Sequence, residues 1–358
     1  METQHSLISP SNFERRMLCA GSLNAEKDLP NTTSKYAEEG SMLHERTTLY
    51  LESLQCSSKG STSWDDGLTQ GQKEAVVDAG TYFNKLKDVS HTLVLGEFHE
   101  RKYSLAFIHA DMKGTADSVL ILENTETQIV EVHVIDYKFG KGVRVNAYWN
   151  YQLILYFLGV VNDPKIKNII ANKIISVHLH IVQPYIKNTR WDVNEIDIIA
   201  VRKKNTYLDV VKNAYDLNAV RTPHYKACRF CKAKPTCYAL AKTVPKMDTD
   251  VFDLEDDEIA VIYDNTDLVK LYLSGIEEYI RNKISNGGFE GYELEGKLSN
   301  RKWTDDAILQ LPILLGEDKA FEITKKPITI GKAEKLLDKI TMDELTTREV
   351  SGTEIVKI

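Results

Sequence analysis

Residues 129–142 read IVEVHVIDYKFGKG, an apolar run that ends in two opposite charges and a glycine turn. Side chains alternate along a strand, so Val130, Val132, Val134, Asp136 and Lys138 share one face. That face is apolar until the strand ends, which predicts burial against a helix layer and a charged site at the end of the sheet. The neighbouring segments extend the prediction. Polar ENTET (123–127) reads as a hairpin loop from a preceding strand in ADMKGTADSVLIL, and TLVLGEF reads as the strand before that. NAYWNYQLILYFLGVV reads as a mostly apolar helix. KIISVHLHIVQP reads as a fourth strand, with Ile175, Val177, Leu179 and Ile181 alternating. Helix, antiparallel strands, helix and strand in that order predict an α/β core around a mixed β-sheet.

Segments outside this core set the domain limits. SNFERRMLCAGS predicts a short helix near the start. Ser34 then caps a longer one, in which Tyr36, Ala37, Gly40, Leu43, Thr47 and Leu51 recur at helical spacing. His44 lies on that inward face. Residues 53–70 are polar and read as a loop, followed by helices over 70–88 and 195–220. A cysteine segment closes a first domain at 246, acidic DTDVFDLEDDE marks a linker over 247–258, and 259–358 reads as a small, mainly helical accessory domain with one β piece near GYELEGKL.

Composition removes several function classes. A net charge of −7 argues against a wholly basic nucleic-acid coat but leaves room for a local basic groove. No apolar run reaches the roughly 18 residues of a membrane span, METQHSLISPSNFERRM lacks a signal-peptide core, and no G-x-x-x-x-G-K-[ST] loop is present for ATP phosphates. The expectation is a cytoplasmic, reducing setting without a membrane partner. There the 5 cysteines are not a disulfide framework. Cys228-x2-Cys231-x5-Cys237 has metal or cluster spacing, and Cys19 and Cys56 are the candidates for a fourth thiolate.

The charged strand end carries the chemistry. A buried carboxylate needs a cation, and the ENTET hairpin would bring Asp117 beside Asp136. Two adjacent carboxylates repel unless a divalent cation lies between them, and hard oxygen ligands suit Mg²⁺ or Mn²⁺. Lys138 would position or deprotonate a water for attack on phosphorus. The plainer alternative is a strand-end ion pair. Glu97 and Glu100 are further acidic candidates, and His178 with His180 is either a zinc-like pair or a satisfied one.

GTAD (114–117), VIDYKFGKG (134–142) and QLILY (152–156), with His44 upstream in YAEEGSMLHE, resemble the core of the PD-(D/E)XK nuclease superfamily, RecB-like branch. The resemblance spans about residues 34–156 and implies a restriction-endonuclease-like fold. It also implies that His44, Asp117, Asp136 and the Tyr137 backbone carbonyl hold the metal, with a somewhat greater preference for Mn²⁺, and that Lys138 is the catalytic lysine. Gln152 and Tyr156 would touch the DNA backbone or support the site. Core packing is the alternative for His44, Gln152 and Tyr156. Lys141 and Arg144, just past the site, are the expected DNA contacts.

One early cysteine and a late C-x2-C-x5-C resemble the iron–sulfur nucleases of that branch, the AddB-type helicase–nuclease domains and CRISPR-associated adaptation nucleases. The resemblance implies a structural [4Fe–4S] cluster on Cys19, Cys228, Cys231 and Cys237. Zn²⁺ on the same thiolates is the alternative. Arg221, Lys226, Arg229, Lys232, Lys234, Lys242 and Lys246 form a basic run that is either a phosphate-tracking wall or a solvated face. SNRKW places Arg301 and Lys302 beside Trp303, for base stacking or for packing. Over nearly its full length the chain also resembles a phage-encoded family catalogued as a domain of unknown function. That implies a stand-alone metal-dependent DNA exonuclease in phage recombination or replication, acting in the host cell, with a phage single-strand-binding or annealing protein as a further partner. A structure-specific or single-strand endonuclease is the second reading, and a nucleic-acid-binding protein with a retired site the third.

Overall fold

The valine face of residues 130–134 needs an apolar partner, and the apolar segment that follows supplies it. This computed structural model describes residues 7–30, 35–55, 63–194, 197–198, 201, 203–244, 254–321 and 327–357. The chain divides into two units, Met1–Tyr272 and Leu273–Ile358.

The first unit begins with helices α1 (Phe13–Leu18), α2 (Ser22–Glu26), α3 (Lys35–Gln55) and α4 (Gln70–Lys87). Then come β1 (Thr92–Ser104), β2 (Lys113–Asn124), β3 (Val130–Tyr137), α5 (Tyr151–Asn162), α6 (Pro164–Ile170), β4 (Ile175–Val182) and β5 (Thr189–Val193). The strands form one sheet in the order β1-β2-β3-β4-β5. β3 and β4 are parallel, and the other neighbours are antiparallel. A parallel pair requires a crossover, here α5 and α6. The mixed α/β core expected from the sequence is present.

Alternation sorts the strand residues onto two helix layers. Val130, Val132, Val134, Val177, Leu179 and Ile181 pack with α5. Leu120, Leu122, Ile135, Tyr137 and Val182 pack on the other face against Leu43, Leu51, Val76, Ala79 and Phe83 of α3 and α4. Leu153–Val160 of α5 are all buried, which is why its sequence is a continuous apolar run rather than a stripe. Asn150 caps α5 by accepting from the Gln152 and Leu153 amides at 3.0 and 3.2 Å.

Several sequence expectations are corrected. The short helix expected over 11–22 is two helices, broken at Cys19–Gly21, where the chain turns onto residues 219–222. Tyr36 and Ala37 are exposed, and inward burial on α3 starts at Leu43. Ser34, Cys56 and Lys246 lie outside the described residues. β1 runs on to Ser104, and β5 is a fifth strand that the sequence reading missed because only Trp191 and Val193 of its five residues turn inward.

In the second unit, Tyr292–Leu298 pairs with Val350–Lys357 and Lys302–Trp303 with Thr346–Thr347. The sequence reading had only the first of these strands. A small core of Ala307, Leu311, Ile328, Met342 and Leu345 takes Trp303 against it, with the indole N–H donating to the Ile328 carbonyl at 3.0 Å. Arg301 is ion-paired to Asp343 at 2.6 Å and approaches Glu334 at 3.5 Å. Trp303 thus serves packing in this unit.

Candidate active site

The β2–β3 register sets Ser118 opposite Ile135, which brings Asp117 next to the end of β3. There the Tyr137 amide donates to Asp117 Oδ2 at 2.7 Å. Gly114 explains how the helix layer comes so close. A Cβ on it would lie 2.7 Å from Pro10 and 2.8 Å from the Tyr156 ring, distances no side chain tolerates. The glycine therefore seats Tyr156, and Tyr156 in turn orients Gln152, whose Nε2 lies 3.2 Å from the tyrosine hydroxyl. Gln152 then bridges the charged pair, donating to Asp136 Oδ1 at 2.8 Å and accepting from Lys138 Nζ at 3.2 Å. Lys138 Nζ stands 2.8 Å from Asp136 Oδ2.

On the other side, α3 delivers His44. Its Nδ1 is 3.3 Å from Asp117 Oδ2 and 3.8 Å from Glu100 Oε1. Edge contacts with Phe139 and Tyr137 hold the ring. Glu100 has φ 45°, a conformation costly for a residue with a side chain and one that clusters at functional sites. His44, Glu100 and Asp117 each offer one ligand atom within 4.8 Å of the others, a group able to hold a metal ion. Glu97, the other acidic candidate, is engaged elsewhere, by Lys87 and His99 at 3.0 Å each.

The electrostatics match this geometry. Asp136 is 1% exposed, and its carboxyl is pushed up to about 6, chiefly by burial, with Lys138 pulling it back and Asp117 adding to the rise. Burial and then Asp117 also raise Glu100. Burial pushes His44 down, but its hydrogen bond to Asp117 and the charges of Asp117 and Asp136 outweigh this and hold it above the usual value. Lys138 is likewise lowered by burial and raised more by Asp136 and Asp117. Asp136 Oδ2 has no aligned hydrogen-bond donor. Three carboxylates around one imidazole and one ammonium, with a buried oxygen left short, fit a hard divalent cation. Lys141 and Arg144 are exposed beyond the site, with Lys141 4.5 Å from the centre of the Tyr185 ring.

The four expected cysteines come together from both ends of the first unit. Cys19, Cys228, Cys231 and Cys237 line one pocket, and all four are free thiols. The Thr222 amide donates to Cys19 Sγ at 3.2 Å. Burial raises Cys19 and Cys228 and, helped by Glu26, pushes Cys231 up to about 12. Glu26 is the residue that sequence reasoning missed. It is bound by Arg15 at 2.7 Å and Arg16 at 2.6 Å and accepts from the Lys232 amide at 2.8 Å, which ties α1 and α2 to the cysteine segment. Around this segment Tyr225, Phe230 and Tyr238 are exposed. Arg229 lies against Tyr225 and Phe230, and Arg221 and Lys242 lie against Tyr238. Lys226 pairs with Glu14 at 3.0 Å.

Among the described residues no helix is long and apolar enough to cross a membrane. Two solved structures bear a distant likeness to the chain. A candidate exonuclease from Eubacterium rectale is 12% identical, covers 70% of this chain and 93% of its own, and gives a TM-score of 0.36. SSO0001 is 13% identical, covers 62% and 95%, and gives a TM-score of 0.25. At these scores neither likeness bears on fold or activity. The family described as protein of unknown function (DUF2800) matches residues 5–354, so the chain belongs to that family.

Proposed function

We propose that this protein is a divalent-metal-dependent nuclease that hydrolyses DNA phosphodiester bonds, with DNA ends as its point of attack. The observation that carries the reading is the set of Asp117, Asp136, Lys138 and Gln152 at the carboxyl end of β3, closed by His44 and Glu100 from other elements. His44, Glu100 and Asp117 would hold Mg²⁺ or Mn²⁺, with Asp136 as the adjoining oxygen donor. Bound there, the cation would neutralise charge on the scissile phosphate and favour ionisation of water. Lys138 donates hydrogen bonds to the attacking water and to the charge that develops on the phosphate oxygens. Gln152 keeps Lys138 and Asp136 aligned, and Tyr156, 6% exposed, acts by positioning Gln152. Lys141, Arg144 and the arginine-aromatic surface around Phe230 suit a phosphate backbone with unstacked bases.

The cysteine pocket would hold a structural [4Fe–4S] cluster. Zn²⁺ on the same four thiolates is the alternative. Four thiolates leave no open position, so the cluster would join the Cys19 turn to the 228–237 segment and take no part in hydrolysis.

The test is degradation of end-labelled linear DNA, single- and double-stranded, with Mn²⁺ or Mg²⁺, beside a covalently closed circle. Loss of linear DNA alone, abolished in Lys138→Ala, is the expected result. Cutting of the circle would replace the exonuclease with an endonuclease. Binding without cleavage by the wild type would overturn the enzyme reading. Absence of iron and of broad absorbance near about 400 nm in anaerobically purified protein would overturn the cluster.

A further inference from the structure

The face of β3 turned away from Asp136 carries a second polar cluster that the proposed hydrolysis does not use. Side chains of β3 alternate, so His133 and Asp136, three residues apart, lie on opposite faces. Glu131 is five residues from Asp136, roughly 16 Å along a strand at about 3.3 Å per residue. In parallel register His133 stands beside His178 of β4. Their rings stack with centroids 4.6 Å apart. Glu131 Oε2 is 3.0 Å from His133 Nε2. One ligand atom from each of Glu131, His133 and His178 lies within 4.8 Å of the others.

From this geometry we propose a second metal site, formed by Glu131, His133 and His178, that takes a borderline divalent ion of the zinc class. Two imidazoles and one carboxylate favour such an ion over Mg²⁺. Each histidine also has the outer support that metal-bound histidines use. His178 Nδ1 lies 2.6 Å from Asp192 Oδ1, an acceptor for an Nδ1 hydrogen, and 2.9 Å from Arg190, so a cation at Nε2, now 3.1 Å from the Ser176 hydroxyl, selects the Nδ1–H tautomer bound to Asp192. His133 Nδ1 is 3.0 Å from His180 Nε2, and His180 Nδ1 is 2.9 Å from the Tyr82 hydroxyl of α4.

That chain has two neutral arrangements. In one, Tyr82 donates to His180, His180 to His133, and His133 Nε2–H to Glu131. In the other every imidazole hydrogen is reversed, Tyr82 oxygen accepts, and His133 Nε2 presents a bare lone pair to the Glu131 carboxylate. The second arrangement has the same number of hydrogens and is repulsive unless a cation lies between Nε2 and the carboxylate. Arg190, 2.9 Å from His178 Nδ1 and 2.5 Å from Asp192, lies on the side of the His178 ring away from Nε2. Glu131 is partly exposed, so an ion can enter from solvent.

Equilibrium dialysis of the full chain against Zn²⁺ tests the site, counting ions per chain in wild type, His178→Ala, Glu131→Gln, His44→Ala and the His44→Ala/His178→Ala double variant. Ions held by cysteines are common to all of these and cancel. One ion fewer in His178→Ala, tenfold or weaker binding of that ion in Glu131→Gln, and one further ion lost when His178→Ala is added to His44→Ala are expected. Retention by both His178→Ala and Glu131→Gln of every ion the wild type binds would overturn the site, as would equal counts in His44→Ala and the His44→Ala/His178→Ala double variant. Should His178→Ala fail to fold, the near-isosteric Glu131→Gln carries the same comparison.

Discussion

Two carboxylates in this protein are almost equally hidden from water, Glu26 at 5% exposure and Asp136 at 1%, and their surroundings are opposite. Glu26 sits between two guanidinium groups and a backbone amide. Burial raises its carboxyl, but Arg15, Arg16 and the Lys232 amide together outweigh that and hold it below the usual range. Asp136 has one ammonium and one side-chain amide, with Asp117 adding like charge, and its carboxyl is pushed up to about 6. A carboxylate whose task is to hold chain segments together is saturated with donors. One that shares a site with other carboxylates and is left short of donors suits the metal-binding role proposed for it.

Substitutions separate the two cases most sharply at Asp136 and Lys138. Asp136→Asn and Lys138→Ala are each expected to lower cleavage by about 10²-fold or more, measured as initial rates on linear DNA. Asp136→Asn should leave the thermal midpoint in chelator unchanged or higher, because relief of the buried charge, and then of repulsion from Asp117, outweighs the lost attraction to Lys138. A clear fall would show that Asp136 is structural, like Glu26.

Glu26→Gln should do the reverse. Breaking a buried charge cluster costs about 3 kcal/mol, read by denaturant unfolding, with the metal-dependent step intact in the folded fraction. The wild-type contribution of Glu26 is also pH-dependent. Its folded pKa is lowered from 4.5, so its stabilisation is complete above that value and is lost as pH falls through the folded pKa. Glu26→Gln should flatten the acid limb of the stability curve. An unchanged limb would break the comparison.

Gly114→Ala probes the support beneath Asp136. The new methyl meets Pro10 and Tyr156, and overpacking of this kind costs about 1–3 kcal/mol. The expected sign is a lower thermal midpoint together with a reduced turnover rate, since Gln152 shifts with Tyr156. The smallest effect belongs to Lys141→Ala and Arg144→Ala. Each should weaken DNA binding across sequences and reduce the slope of log affinity against log salt by about one, measured by fluorescence anisotropy. A slope equal to that of the wild type would remove these two residues from the interface.

Much of this was legible in residues read one segment at a time. Alternation in 130–138 marks a strand, its apolar face and the place where charge begins, because side-chain direction along a strand is a local property. The apolar run of α5 and the C-x2-C-x5-C spacing are local in the same sense. Other features depend on what the chain meets when folded. Glu100 approaches His44 from a left-handed backbone conformation that its sequence does not announce. Gly114 matters because Pro10 and Tyr156 arrive over it. Tyr36 has helical spacing yet is 86% exposed. β5 is short, and its ladder with β4 gives it a place in the sheet. Nothing in its own sequence pairs Glu26 with two arginines and the Lys232 amide.

The mixed α/β core, the charged end of β3 and the early and late cysteines of the first unit all follow from the order of the residues. Local periodicity encodes element type and facing, and those follow from backbone geometry alone. Tertiary structure decided which charges are closed off and which stay open, since register, burial and the approach of distant side chains set the local electrostatic balance. Glu26 and Asp136 are the same chemical group, and the difference between them lies in the partners that folding brings to each.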